Sequence, residues 1–155
     1  IPYEGFLVSE SAKKDKIPLR AAGLIVRDKS DTSLEEDKQI LVLFKNSGQV
    51  DLPKGEMDHG ESAWECALRE AREEAGIENP HKLNDYNAIH IEGMTFYVVN
   101  SSDVPEIRIN PETGVMEHTM YTWMHPEDCT RTGPTWFRKL FVIYRQQIKH
   151  LDTNS

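Results

Sequence analysis

The segment from residue 62 to residue 76 constrains the fold of this chain more than any other segment. Apolar side chains recur in it at the spacing of one buried helical stripe, in the order Trp64, Ala67, Leu68, Ala71 and Ala75. Ser62 suits the N-cap of this helix, with Glu65 three positions on as its capping-box partner, and Gly76 suits a left-handed C-terminal cap. The fold must therefore place one face of this helix against a core.

Short apolar runs on both sides of this helix predict strands, at residues 19–27, 39–45, 90–100 and 117–124. Polar or breaker-rich stretches predict loops at 28–38 and 46–61, and a strand-and-turn region at 105–114. Pro134 suits the start of a closing helix whose apolar face continues to about His150. This order of elements predicts an α/β fold, a mixed sandwich formed by a single domain over residues 1–155.

Charge and composition exclude several classes of protein. The formal net charge of −8 argues against a protein that binds duplex DNA through a broad basic surface. The apolar runs are far shorter than the roughly 18 residues of a membrane span, so we expect no membrane partner. Two cysteines, Cys66 and Cys129, are too few for a disulfide framework. We therefore expect an intracellular, cytoplasmic protein.

Most of the acidic excess lies in residues 55–77, where seven carboxylates and two arginines leave a net charge of −5. Glu70, Glu73 and Glu74 share one face of the predicted helix, directed away from the apolar stripe. One interpretation is a solvated, charge-laced helix. The other is a site for a hard cation, because ligands that are only oxygen favour Mg²⁺ or Mn²⁺ over zinc and usually act together with substrate phosphates.

The spacing of these residues matches a known pattern. Gly55, five residues, Glu61, seven residues and then the run REAREEAGI at residues 69–77 resemble the Nudix box. The resemblance implies a Nudix-type α/β/α sandwich around a mixed sheet. It also implies hydrolysis of a pyrophosphate bond in a nucleoside diphosphate linked to a further group, with Mg²⁺ or Mn²⁺ as cofactor. A catalytically silent Nudix fold used for binding is the alternative, which the intact box carboxylates disfavour.

The resemblance and the chemistry together suggest roles for the box residues. Glu73 and Glu74 are expected to be metal ligands, helped by Glu70 and by the carbonyl of Gly55. Glu70 is either a further ligand or the general base. A metal ion at such a site neutralises phosphate charge and makes water nucleophilic near neutral pH.

Two cations near these carboxylates have their own expected roles. Arg69 is expected to point aside from the metal and to orient carboxylates by bidentate hydrogen bonds, to Glu61 or Glu70, or else to be a surface charge. Lys54, just before Gly55, either binds a substrate phosphate from the rim of the site or is simply solvated.

Other reactive side chains near the box are expected to be structural. Cys66 is expected to be a small buried apolar residue without chemistry. The histidines His59, His118 and His125 are expected to be surface or loop residues, because a Mg²⁺ site has little use for imidazole.

A second stretch bears on the substrate. Residues 117–123, EHTMYTW, resemble the Glu-His-x-x-Tyr-x-Trp stretch of asymmetrical diadenosine tetraphosphate hydrolases, as do the runs AAG at 21–23 and PKG at 53–55. That resemblance makes Glu117 a metal ligand or the general base, the alternative being a plain carboxylate at the start of a strand. Tyr121 and Trp123 share one strand face and either pack in the core or stack on a base.

The chain departs from that subfamily at Asp51, where a Trp commonly precedes the Pro-Lys-Gly run. We therefore keep other nucleotide substrates open: an RNA 5′ end carrying a cap or a triphosphate, ADP-ribose, an oxidised dNTP or a diphosphoinositol phosphate. The last would need a larger cluster of basic residues than the sequence shows near the box.

Overall fold

The structure, a computed structural model, describes residues 18–83 and 88–154. The remaining residues of the predicted single domain over 1–155 lie outside the described part. The described strands are β1 (Ala21–Asp28), β2 (Ile40–Lys45), β3 (Val50–Asp51), β4 (Lys54–Glu56), β5 (His81–Lys82), β6 (Ile89–Ile91), β7 (Met94–Ser101) and β8 (His118–Met124). The helices are α1 (Ala63–Ala75), α2 (Pro126–Cys129) and α3 (Thr135–Asn154), with a 3-10 turn at Glu35–Asp37.

The eight described strands form one mixed sheet with β1 inside it. Strand β7 runs parallel to β1 along its whole length, from Ala21 opposite Met94 to Asp28 opposite Ser101. The other edge of β1 is shared, because its start pairs with β4 and its end reaches β2. Strand β2 in turn pairs with β3 and β8, and β7 pairs with β5 and β6.

Helices cover both faces of the sheet. Side chains alternate along each strand, so each strand contributes apolar residues to both layers. On one face, Ile25 and Val42 pack with buried residues of α3, namely Phe137, Leu140, Phe141, Tyr144 and Ile148. On the other face, Leu24 and Leu43 pack with buried residues of α1, namely Cys66, Ala67, Ala71 and Ala75. The predicted α/β/α sandwich around a mixed sheet is confirmed. None of the described helices is long and apolar enough to cross a membrane.

Helix α1 has the predicted ends but a different buried face. Ser62 Oγ accepts a hydrogen bond from the backbone N–H of Glu65 at 3.1 Å, the Glu65 carboxylate accepts one from the N–H of Ser62 at 2.9 Å, and Gly76 is left-handed with φ 67°. Trp64 and Leu68 are only half-buried, whereas the buried side also includes Cys66, Glu70 and Glu74. The prediction that Glu70 and Glu74 project away from the apolar stripe was wrong, because they follow Ala67 and Ala71 by three residues and so lie on the side that packs against β1 and β4.

Several predicted segments are subdivided in the structure. The predicted loop 46–61 contains β3 and β4, short strands that form by pairing with β2 and β1. The predicted strand 90–100 is a hairpin, with Glu92 and Gly93 in its turn at φ 49° and 80°. In the described region 105–114 there is a turn and no strand. Helix α3 continues four residues past the predicted end, to Asn154.

Candidate active site

The site forms where α1 lies over β4. Pairing of β4 with β1 places Gly55 opposite Ala22, directly beneath the helix. A Cβ on Gly55 would clash with the carboxylate of Glu70, which is 9% exposed. Because Gly55 has no side chain, the carboxylate of Glu70 on α1 can lie directly against β4.

Glu74 is the most buried carboxylate of the box, at 7% exposure, and its Oε1 accepts a hydrogen bond from the backbone N–H of Lys54 at 3.0 Å. Burial, with the charge of Glu70, raises the pKa of Glu74 to about 10. Burial also raises the pKa of Glu70 to about 7, against the opposing effect of Arg69. The positive charge near these two carboxyls therefore does not offset their burial, and a bound divalent cation would add to it.

Arg69 links carboxylates of the loop and the helix. Its Nε and Nη2 donate to the two oxygens of Glu61 at 2.7 and 3.0 Å, a bidentate pair. Its Nη1 donates to Glu70 at 3.0 Å and to Glu73 at 3.3 Å, and Nη2 also reaches the carbonyl of Glu56. The expected pairing with Glu61 and Glu70 is present, but Arg69 is not turned aside, because it touches two of the candidate ligands. The hydrogen bond from Arg69 lowers the pKa of Glu61 to about 2.

Glu117 joins this group from the other side of a cleft of about 480 Å³. The lining residues are Lys45, Asn46, Ser47, Asp51, Lys54, Glu74, Val115, Glu117 and His118. One potential ligand atom each of Glu74, Glu117 and His118 lie within 4.8 Å of one another. Glu117 itself is exposed and accepts a hydrogen bond from the side-chain amide of Asn110 at 3.0 Å. The fold therefore places Glu117 close to Glu74. This proximity could not be inferred from the sequence, in which the two residues are far apart.

His118 contradicts the expectation of a surface or loop histidine. It lies in β8, is 3% exposed, and its Nε2 is 2.8 Å from Oδ2 of Asp51, which is also 3% exposed. Sequence reasoning missed this buried pair. One available signal was the position of Asp51 between Val50 and Leu52, where a charged residue interrupts an apolar run and needs a partner once buried.

Lys54 reaches the cleft from β4. Its Nζ is 3.1 Å from Oδ1 of Asp51 and 5.4 Å from the ring centroid of Trp136. The ammonium thus lies near Asp51 and Trp136 at the wall of the cleft. Glu74 lines the same cavity.

Cys66 is fully buried, as expected, and its thiol lies 3.3 Å from the carbonyl oxygen of Gly55, to which it can donate. Burial raises the pKa of the Cys66 thiol to about 11, so it is not a nucleophile at neutral pH. The thiol thus contacts the Gly55 carbonyl, which is expected to be a metal ligand.

Tyr121 and Trp123 lie on the face of β8 that packs toward α1, half-buried against the core that contains Leu41 and Leu43. Neither is among the described residues that line the cleft. This placement is the core-packing alternative of the two that the sequence left open.

Together, an α/β/α sandwich, a carboxylate-bearing helix and a lysine-lined cleft are features of a hydrolase that acts on phosphate anhydrides. The model of the NUDIX domain matches residues 18–143, and the chain belongs to the Nudix family. It is a Nudix pyrophosphohydrolase, from a family that uses divalent metals and acts on nucleotides. The family resemblance of the box is thereby confirmed.

Solved structures show the same fold at low sequence identity. The C. elegans Ap4A hydrolase binary complex matches with a TM-score of 0.61 at 22% identity, over 85% of this chain and 98% of that chain. The MutT protein from Methanosarcina mazei Go1 matches with a TM-score of 0.58 at 21% identity, over 86% of this chain and 98% of that chain. No sequence among the curated proteins matches this chain.

Proposed function

We propose that this Nudix enzyme hydrolyses a dinucleoside polyphosphate such as diadenosine tetraphosphate, asymmetrically, to a mononucleotide and a nucleoside triphosphate. The observation that carries the proposal is the position of Glu117 beside Glu74 in a cleft that also holds Lys45 and Lys54. The stretch that supplies Glu117 is the one that resembles the asymmetrical hydrolases. A structural neighbour from C. elegans is itself described as an Ap4A hydrolase.

The donor set suits Mg²⁺ or Mn²⁺, because it consists of carboxylates and one backbone carbonyl. Glu70, Glu73, Glu74, Glu117 and the carbonyl of Gly55 would hold the cofactor, which neutralises phosphate charge and lowers the pKa of water. The bidentate pair of Arg69 with Glu61 keeps the helix carboxylates in place. Removal of a proton from the attacking water falls to Glu117 in this proposal, with Glu70 as the alternative base.

The cleft fits a chain of phosphates. Lys45 and Lys54 supply positive charge, and Asn46 and Ser47 supply neutral donors, in the lining that also contains Glu74. A volume of about 480 Å³ lies within the roughly 300–1,000 Å³ of small-molecule sites. Tyr121 and Trp123 pack against the core and do not line the cleft, but both are only half-buried, so the exposed part of each ring stays in the proposal as a base-stacking candidate.

The proposal also includes the cellular location and the domain organisation. The two free cysteines, Cys66 and Cys129, are both buried, which supports a reducing, intracellular and cytoplasmic location. The match over residues 18–143 supports a single Nudix domain for the chain.

A substrate competition tests the proposal. Diadenosine tetraphosphate, ADP-ribose, an oxidised dNTP, a diphosphoinositol phosphate and a capped RNA oligomer are offered at equal concentration with Mg²⁺ or Mn²⁺, and products are separated by anion exchange. We expect the highest kcat/KM for the tetraphosphate, with AMP and ATP as products. Faster cleavage of capped RNA would mean that the substrate is an RNA 5′ end, and hydrolysis by the Nudix site would still stand. Binding of nucleotides without turnover of any of them would support a silent binding module.

A further inference from the structure

Asp51 is a buried carboxylate that contacts two other strands of the cleft. Its Oδ2 is 2.8 Å from Nε2 of His118, and its Oδ1 is 3.1 Å from Nζ of Lys54. Burial alone would raise the pKa of Asp51, but the hydrogen bond with His118 and the charge of Lys54 outweigh it and lower this pKa. An ionised carboxylate only accepts hydrogen bonds, so Nε2 of His118 carries the proton between them.

The backbone and the side chain of Lys54 contact different partners. Its backbone N–H donates to Glu74, which fixes the residue next to the candidate metal ligands. Its ammonium instead pairs with Asp51 and lies 5.4 Å from the ring centroid of Trp136. The other carboxylates among the described residues of this cleft are Glu74 and Glu117. A lysine is a compact charge on a flexible stem, so without Asp51 it can turn toward either of them.

We propose that Asp51 is a positioning residue that holds the ammonium of Lys54 at the cleft wall and keeps it off the carboxylates of Glu74 and Glu117. The inference rests on the proposed function, because it requires those two carboxylates to bind a divalent cation. An ammonium bound to either one would occupy a carboxylate oxygen and place a positive charge where the cation is expected to bind. It would also leave the substrate phosphates without Lys54.

Mn²⁺ binding without substrate tests this directly. Free Mn²⁺ is measured by electron paramagnetic resonance with the wild type, Asp51→Asn, Lys54→Gln and the double variant. Asn preserves the size of Asp51 and its ability to accept a hydrogen bond from His118. We expect Asp51→Asn to weaken Mn²⁺ binding by roughly 10- to 100-fold, the usual range for partners of metal ligands. In the Lys54→Gln background the same change should alter affinity less than about twofold, since the competing ammonium is gone.

The coupling between the two substitutions is the decisive quantity. An equal loss in both backgrounds would mean that Asp51 acts through its own charge or through His118, and would overturn the inference, as would unchanged binding by Asp51→Asn. Thermal melting identifies a variant that does not fold, and Asp51→Ser then replaces Asp51→Asn in the same cycle. If the wild type binds no Mn²⁺, the proposed function itself fails; binding without coupling removes only the role of Asp51.

Discussion

The backbone of Gly55 lies so close to the carboxylate of Glu70 that a side chain on the glycine would require this carboxylate to move. Residues from β4 and α1 are thereby held in direct contact at the centre of the proposed metal site. The first glycine of the Nudix box, Gly55, is required here by packing and not by a left-handed backbone, whereas the second, Gly76, has a positive φ.

This contact predicts the effect of Gly55→Ala. The added methyl group must displace the Glu70 carboxylate or move α1 away from β4, and misplacement of reacting groups by about 1 Å costs roughly 10²-fold in rate. We expect kcat to fall by about that factor in steady-state assays. A folded variant, judged by circular dichroism, with wild-type turnover would show that the position of Glu70 does not matter for the reaction.

Glu74→Gln should reduce turnover while stabilising the metal-free protein. Loss of one ligand charge is expected to lower kcat by roughly 10². Burial raises the pKa of Glu74 from 4.5 to about 10, so between these values the folded protein holds a proton that the unfolded chain releases, and stability falls as pH rises. The gain in Tm without metal should therefore be larger at pH 8 than at pH 5. Unfolding of the variant would instead mean that this carboxylate is structural.

Glu117→Gln separates the two candidate bases. If Glu117 removes the proton from water, kcat should fall by roughly 10² to 10⁴ while nucleotide affinity, measured by calorimetry, stays near that of the wild type. The hydrogen bond from Asn110 can persist, because the glutamine keeps its carbonyl oxygen. Near-normal turnover would assign the base to Glu70 and restrict catalysis to helix α1 and its loop.

Glu61→Gln should change the response to acid. The hydrogen bond from Arg69 lowers the pKa of Glu61 from 4.5 to about 2, so its contribution to stability is present above pH 4.5 and is lost as pH falls toward 2. We expect wild type and variant to differ most in urea midpoint at pH 6, with a difference that shrinks steadily below about pH 4.5. A difference that is independent of pH would mean that the Glu61–Arg69 pair does not contribute through its charge.

Much of the architecture follows from local sequence. The ends of α1 are specified within a few residues, by Ser62 with Glu65 at one end and by Gly76 at the other, and the structure confirms both. The four longer strands follow from short runs rich in apolar and aromatic residues. The Nudix box could be recognised because its residues lie close together along one loop and one helix.

Tertiary packing decided the rest, because it depends on residues far apart in sequence. Helix geometry puts Glu70 and Glu74 on the side of Ala67 and Ala71, but the sequence could not tell that a carboxylate has room there, since that depends on the space above Gly55. Strands β3 and β4 are too short to show a pattern and form only by pairing with neighbours. The ionised, buried Asp51 of β3 is stable only because pairing of β3 and β8 with β2 brings His118 beside it, and the hydrogen bond with His118 together with the charge of nearby Lys54 offsets the cost of burial.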